Sequence, residues 1–194
     1  MQAGRRAVFL RFAGCNLWSG READRATAIC QFCDTDFVGT DGVGGGKFAT
    51  ADALADAVTT CWGPDRTNAY VVITGGEPLL QLDARLIDAL HARGIVIGVE
   101  SNGTIVAPQG IDWLCISPKA GSVTTQRAGD ELKLVWPQPG SDWTGMERWN
   151  FKHFLIQPLD SPARVDNIQA AIDFVLAHPK WRLSIQTHKT LGLR

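Results

Sequence analysis

Residues 70–78 of the chain have the sequence Tyr-Val-Val-Ile-Thr-Gly-Gly-Glu-Pro. The first five residues have the length and the apolar, β-branched composition of a buried strand. The two glycines and the proline end that strand abruptly and indicate a turn at its carboxyl end. The segment therefore predicts a buried strand that ends in a turn carrying a carboxylate.

Helical patterns lie on both sides of this strand. Upstream, apolar residues at 54, 57, 58 and 61 form one face, with Thr50 as the candidate N-cap and Gly63-Pro64 as the stop. Downstream, leucines at 82, 86 and 90 form a second stripe that ends before Gly94. A third stripe, at 168, 171, 172 and 175, ends before Pro179. We expect three surface helices whose apolar faces pack inward.

The strand at 70–74 is one of several short apolar runs. Seven such runs occur, at residues 8–12, 70–74, 95–100, 113–117, 132–136, 153–157 and 182–186. Apolar strands that alternate with amphipathic helices are typical of parallel βα units. We predict an α/β fold with helices outside a mostly parallel sheet, and function at the carboxyl ends of its strands.

Length and charge limit the possible classes of protein. The chain has 194 residues, which favours a single domain spanning 1–194. A complete eightfold barrel needs about 250 residues, so a barrel here must be incomplete. With 19 basic and 20 acidic residues, the net charge of -1 gives no field for nucleic acid. No apolar run is long enough for a membrane span, and we expect a cytoplasmic protein.

Three of the five cysteines crowd the start of the chain in the pattern C-x14-C-x2-C, at Cys15, Cys30 and Cys33. No histidine precedes His91, so a closed zinc tetrahedron has no nearby fourth ligand. A [4Fe-4S] cluster on three cysteines leaves one iron open for a further ligand. Free buried cysteines, a zinc site completed by a distant histidine, and a redox pair at Cys30 and Cys33 remain open at this point.

A three-cysteine loop after the first strand, together with the Thr-Gly-Gly-Glu-Pro segment at 74–78, resembles the radical S-adenosylmethionine superfamily. Within it, the long cysteine spacing and the following Asp-Thr-Asp at 34–36 resemble the 7-carboxy-7-deazaguanine synthase family. The likeness continues through Glu-Ser-Asn-Gly at 100–103, Ser-Pro-Lys-Ala at 117–120, Gln-Pro-Leu-Asp at 157–160 and Gln-Thr-His-Lys at 186–189. It implies an incomplete, modified (β/α) barrel.

The resemblance also implies roles for individual residues. The [4Fe-4S] ligands would be Cys15, Cys30 and Cys33, and Thr35 would bind Mg²⁺ through its hydroxyl. The S-adenosylmethionine site would be formed by Phe32, Cys33, Asp34, Gly76, Glu77, Ser117, Pro118 and Lys119. The substrate would contact Arg11, Thr74, Gln157, Pro158, Leu159, Asp160 and Arg194. No catalytic side chain is implied beyond the cluster and the cofactor, and His188 is expected to have a structural role.

The implied reaction is the radical ring contraction of 6-carboxy-5,6,7,8-tetrahydropterin to 7-carboxy-7-deazaguanine, with loss of ammonia, in queuosine biosynthesis. The implied partners are the pterin, a flavodoxin- or ferredoxin-like electron donor and a second copy of the chain in a homodimer. Two alternative functions are a glycyl-radical enzyme activase of the same superfamily and a non-enzymatic zinc-binding module.

The start of the chain departs from the family pattern. Members begin with an additional strand that leads to a Leu-x-Gln-Gly-Glu-Gly loop for the pterin, whereas this chain enters its first apparent strand by Ala7. We therefore expect a radical S-adenosylmethionine domain that lacks the family's first strand and substrate loop.

Overall fold

Seven parallel strands form one sheet in the computed structural model, which describes residue 2 and residues 4–192. Their order in the sheet is their order along the chain, β1 to β7. The strands are β1 (Val8–Phe12), β2 (Tyr70–Gly75), β3 (Val96–Ser101), β4 (Trp113–Ile116), β5 (Ala128–Trp136), β6 (Asn150–Pro158) and β7 (Trp181–Leu183). This arrangement confirms the predicted α/β fold with an incomplete barrel.

Helices lie in the connections β1–β2, β2–β3, β5–β6 and β6–β7 and after β7, whereas β3, β4 and β5 are joined by loops. They are α1 (Ala51–Trp62), α2 (Ala84–His91), α3 (Trp143–Met146), α4 (Arg164–Ala177) and α5 (Thr187–Leu191), with 3₁₀ turns at Glu22–Thr27 and Pro78–Leu80. The predicted N-cap of α1 is present, because the Thr50 hydroxyl accepts the Ala53 N–H at 3.1 Å. The three predicted helices are present, and the α2 and α4 stripes pack inward as predicted. In α1 the prediction for position 61 is wrong, because Cys61 is exposed and the buried residues are Ala55, Val58 and Trp62. For α3 and α5 there was no sequence prediction.

One face of the sheet forms the hydrophobic core with the helices. Alternate strand residues such as Ile73, Ile97 and Ile116 are fully buried there. They belong to the same cluster of buried side chains as Leu90 of α2 and Ala171 of α4. Because successive side chains of a strand point to opposite faces, the other alternate residues lie on the face of the sheet away from the helices.

The last strand differs from the prediction. A strand was expected at 182–186, but β7 ends at Leu183, and residues 187–191 are helical. β7 pairs only with β6, where Ile156 faces Leu183 and Pro158, which has no N–H group, ends the strand. Beyond Leu183, β6 offers few backbone groups to pair with a longer β7, so the strand ends and the chain continues into α5.

Candidate active site

The cysteine loop follows β1 and has a small core of its own. Trp18 and Phe37 are buried and pack edge to face with ring centroids 5.6 Å apart. Backbone bonds close the loop, from Gly14 N–H to the Phe37 carbonyl at 3.2 Å and from Cys30 N–H to the Leu17 carbonyl at 3.2 Å. A long loop with its own packing is typical of a functional segment.

This packing brings the thiols of Cys30 and Cys33 into contact. Their mutual hydrogen bond raises the pKa of Cys30 and lowers that of Cys33 to about 6. The positive charge of Lys119, which follows β4, opposes the rise in the pKa of Cys30 and adds to the fall in the pKa of Cys33. Cys33 thus has the thiolate character that metal ligation requires.

The Gly-Gly-Glu turn after β2 packs directly against Cys15. A Cβ added to Gly76 would lie 2.1 Å from the Gly14 carbonyl oxygen and 2.8 Å from the Cys15 Cβ. Glu77 N–H donates to the same Gly14 carbonyl at 2.9 Å. Only glycine fits this contact, which brings the backbone of residue 76 directly beside the first cysteine.

The Glu77 carboxylate is fully buried and bonded within the protein. It accepts hydrogen bonds from Leu79 N–H at 2.9 Å, Ser101 Oγ at 2.8 Å and Asn102 N–H at 2.8 Å. Burial raises its pKa, and these donors partly offset that effect. The family resemblance implies that Glu77 contacts the cofactor. In the structure its carboxylate instead joins the end of β2 to the end of β3.

The segment after β4 supplies a cation to the site. Lys119 Nζ donates to the Ser117 carbonyl at 2.6 Å and to the Ser117 hydroxyl at 2.7 Å. Desolvation lowers the pKa of Lys119, whereas the nearby cysteine thiols raise it. Pro118 is buried, and its carbonyl accepts the Gln138 side-chain amide at 3.3 Å. The sequence-predicted Ser-Pro-Lys segment is thus fixed beside the cysteine pair.

The face of the sheet away from the helices carries polar side chains. Arg11 pairs in register with Thr74, and Glu100 with Cys115. Glu100 forms an ion pair with Lys133 at 2.7 Å, and this cation lowers the pKa of Glu100. Sequence reasoning missed Lys133, although polar residues at alternate positions of neighbouring strands indicate such a face.

The substrate segment predicted at 157–160 follows β6. Asn167 of α4 is buried and fixes it, because Asn167 Nδ2 donates to the Leu159 carbonyl at 2.8 Å and to Ser161 Oγ at 3.0 Å. Lys189 of α5 forms ion pairs with both Asp160 and Asp34. The segment after β6 and the cysteine loop therefore lie on either side of one ammonium group.

Thr35 lines a cavity of about 260 Å³ in the cysteine loop, together with Trp18, Arg25, Cys33 and Asp34. Phe32 lies between the two paired cysteines, half-buried. Arg194 lies outside the described residues, and the side chain of His188 is not among those described. No group of three or more His, Cys, Asp or Glu side chains that could hold a single metal ion occurs among the described residues.

The remaining cysteines lie elsewhere, with Cys61 exposed on α1 and Cys115 buried on β4. The three cysteines of the loop carry no disulfide. The lowered pKa of Cys33, the thiol contact between Cys30 and Cys33, and the close approach of the Gly76 backbone to Cys15 fit a cluster held by three cysteines with its fourth iron beside the Gly-Gly-Glu turn. The parallel sheet and this loop are those of a radical S-adenosylmethionine enzyme.

Comparisons with known proteins narrow this class. The 7-carboxy-7-deazaguanine synthase of Bradyrhizobium diazoefficiens is 60% identical over 192 residues, covering 99% of this chain and 91% of the relative. That of Caulobacter vibrioides is 60% identical over 194 residues, with 99% and 91% covered. The chain therefore belongs to the 7-carboxy-7-deazaguanine synthase family, as its sequence motifs predict.

Two further comparisons complete the picture. The crystal structure of QueE from Escherichia coli superposes with a TM-score of 0.66 at 22% identity, covering 92% of this chain and 84% of that chain, and it supports the fold. A scan against models of protein families matched none of them.

Family membership confirms a radical S-adenosylmethionine lyase of queuosine biosynthesis, and it implies a [4Fe-4S] cluster and S-adenosylmethionine as cofactors. Neither the activase nor the zinc-module alternative agrees with these relatives. None of the helices among the described residues is long and apolar enough to cross a membrane.

Proposed function

We propose that this chain converts 6-carboxy-5,6,7,8-tetrahydropterin to 7-carboxy-7-deazaguanine with release of ammonia. The observation that carries the proposal is the contact between the Gly-Gly-Glu turn and the Cys15 turn, in a chain that is 60% identical to proteins named for this product. The contact joins the segment expected to hold the cluster to the segment expected to hold the cofactor.

Cys15, Cys30 and Cys33 would hold the cluster, which supplies the electron that cleaves S-adenosylmethionine to give a hydrogen-abstracting radical. The chain's own part is binding and orientation. The backbone of Gly76 lies against Cys15 and would receive the amino group of the cofactor, and the Lys119 ammonium would provide a positive charge for its carboxylate. Phe32 and Asp34 complete the proposed cofactor site together with Ser117 and Pro118, and the buried Glu77 braces the turn behind that site.

The substrate would bind over the polar face of the sheet. Arg11 offers a planar fork that matches the carboxylate of the pterin, and Thr74 lies beside it in register on β2. Residues 157–160 and Arg194 would contact the pterin ring. The Thr35 hydroxyl would bind Mg²⁺, since that ion takes oxygen ligands and keeps part of its shell for water and substrate.

The proposal also covers the wider setting of the reaction. The electron donor would be a reduced flavodoxin or ferredoxin, the protein would act as a homodimer, and it would work in the cytoplasm. That residues 1–194 form a single domain remains a prediction.

The test is anaerobic reconstitution with iron and sulfide, followed by reaction with the pterin, S-adenosylmethionine, Mg²⁺ and a reductant. We expect visible charge-transfer absorbance and formation of 7-carboxy-7-deazaguanine, detected by mass spectrometry. Cys33→Ala should lose both. The matched control is Cys61→Ala, which removes an exposed thiol on α1 and should retain both. A cluster-bearing protein that cleaves S-adenosylmethionine but forms no deazaguanine would overturn the proposal.

A further inference from the structure

The ammonium of Lys189 pairs with Asp34 and Asp160 at the same time. These two aspartates belong to different parts of the proposed site. Asp34 directly follows the cluster ligand Cys33 and is assigned to the cofactor, whereas Asp160 ends the segment assigned to the substrate. Lys189 is the last residue of the Gln-Thr-His-Lys segment, and its side chain is three-quarters buried, but the family resemblance assigns it no role.

Both segments are also fixed without Lys189. Arg25 holds the cysteine loop, because its Nη1 donates to the Gln31 carbonyl at 2.9 Å and to the Cys33 carbonyl at 3.1 Å. Asn167 holds the segment after β6 through the Leu159 carbonyl. The contribution of Lys189 is therefore not to order a loose loop. It sets the position of one ordered segment relative to the other.

The place of this contact in the sheet explains why a side chain is needed. Backbone bonds join neighbouring strand ends elsewhere, from Glu77 N–H to the Gly14 carbonyl at 2.9 Å and from Leu159 N–H to the Trp136 carbonyl at 2.7 Å. β1 and β7 are the two edges of the sheet and do not pair in the part of the chain that the structure describes. Across this open side, Lys189 and Gln186 reach Asp34.

The charge of Lys189 has a second consequence. Asp34 and Asp160 bring two carboxylates to the proposed site, and without a cation they would repel a ligand that carries a carboxylate of its own. Lys189 offsets this repulsion because it pairs with both aspartates.

We propose that Lys189 is a positioning residue that couples the substrate segment to the cluster loop and makes the site accept an anionic pterin. This inference rests on the proposed function, because it assumes that a carboxylated substrate binds near Asp34 and Asp160. Lys189 touches neither ligand in this proposal and acts through the two aspartates.

The test follows substrate binding by a signal other than turnover. The cluster-bearing protein with S-adenosylmethionine bound and without reductant, which cannot turn over, is titrated with the carboxytetrahydropterin, and the visible circular dichroism spectrum of its cluster is recorded at each point. In Lys189→Met we expect half-saturation at a pterin concentration at least about tenfold higher than in the unaltered protein, equivalent to about 1.4 kcal/mol. Lys189→Arg should restore most of the affinity.

The matched control is Lys152→Met, which removes an exposed lysine of β6 and its ion pair with Asp130 of β5. This change should leave the titration unchanged. Asp160→Asn provides a second measurement if Lys189→Met takes up no cluster. The two changes should be non-additive in the double variant, because they break the same pair.

The outcomes separate the two proposals. If the pterin fails to perturb the spectrum of the unaltered protein, both the proposed function and this inference are wrong. If the unaltered protein saturates with pterin and Lys189→Met saturates at the same concentration, the inference alone is wrong.

Discussion

Replacing Glu77 by glutamine tests whether this carboxylate braces the site. The substitution keeps the shape of the side chain but turns one of its oxygens into an amide donor. In the native structure Oε1 accepts from Leu79 N–H and Ser101 Oγ, and Oε2 accepts from Asn102 N–H. In Glu77→Gln, at least one buried donor loses its acceptor and faces another donor.

The expected cost follows from these contacts. The side chain is fully buried, so water cannot replace the lost partner. A buried polar group left without its hydrogen bond costs about 1–3 kcal/mol, and a hydrogen bond to a charged acceptor contributes about 1.5–3 kcal/mol. Removal of the buried charge returns part of this energy, because burial raises the pKa of Glu77. We therefore expect Glu77→Gln to be destabilised by about 2 kcal/mol, or about 4–8 °C in Tm for a chain of this size.

The assay is anaerobic thermal unfolding by circular dichroism, with S-adenosylmethionine binding followed by the resonance spectrum of the reduced cluster. Glu22→Gln is the control, since the Glu22 side chain is 77% exposed and should leave Tm unchanged. An unchanged Tm in Glu77→Gln would refute the bracing role. An unchanged Tm with a large loss of cofactor affinity would instead show that the carboxylate contacts the cofactor directly.

Three further changes have defined outcomes. Gly76→Ala should destabilise the protein by about 3 kcal/mol and prevent cluster uptake, measured as iron content, because the new Cβ overlaps backbone beside Cys15. Lys133 lowers the pKa of Glu100, so this pair stabilises the fold fully above pH 4.5 and loses that contribution as the pH falls through the lowered pKa. In Lys133→Met, the free energy of unfolding in urea should therefore fall less between about pH 6 and about pH 3 than it does in the unaltered protein. Asn167→Ala should cost about 1–2 kcal/mol and raise the KM for the pterin, with half-saturation by S-adenosylmethionine unchanged, as steady-state kinetics will show.

Features set by nearby residues could be predicted from the sequence. All seven strands were found at or near their observed positions, and the Thr50 cap depends on residues three apart. The cysteine spacing and the Gly-Gly-Glu turn likewise predicted two parts of one site. These features depend on local hydrophobic patterning and on turn chemistry, which a single sequence displays.

The contacts that assemble the site depend on distant parts of the chain. Glu77 meets Ser101 across 24 positions, and its inward orientation depends on how β3 ends beside β2. Lys189 meets Asp34 across 155 positions, and this contact depends on the early end of β7. The sequence run at 182–186 has strand composition throughout, so local pattern alone could not predict that end.

The two faces of the sheet explain how the fold combines stability with an open site. On the helix face, buried residues such as Ile97 and Leu132 pack without polar partners and supply most of the hydrophobic stabilisation. On the other face, Glu100 and Lys133 occupy positions that apolar side chains would fill in a closed barrel. An ion pair there contributes less than such packing would, because the Glu100 side chain remains 45% exposed and water screens the attraction. The fold thus accepts weaker packing on one face, and the polar surface that results can bind a charged cofactor and an anionic substrate.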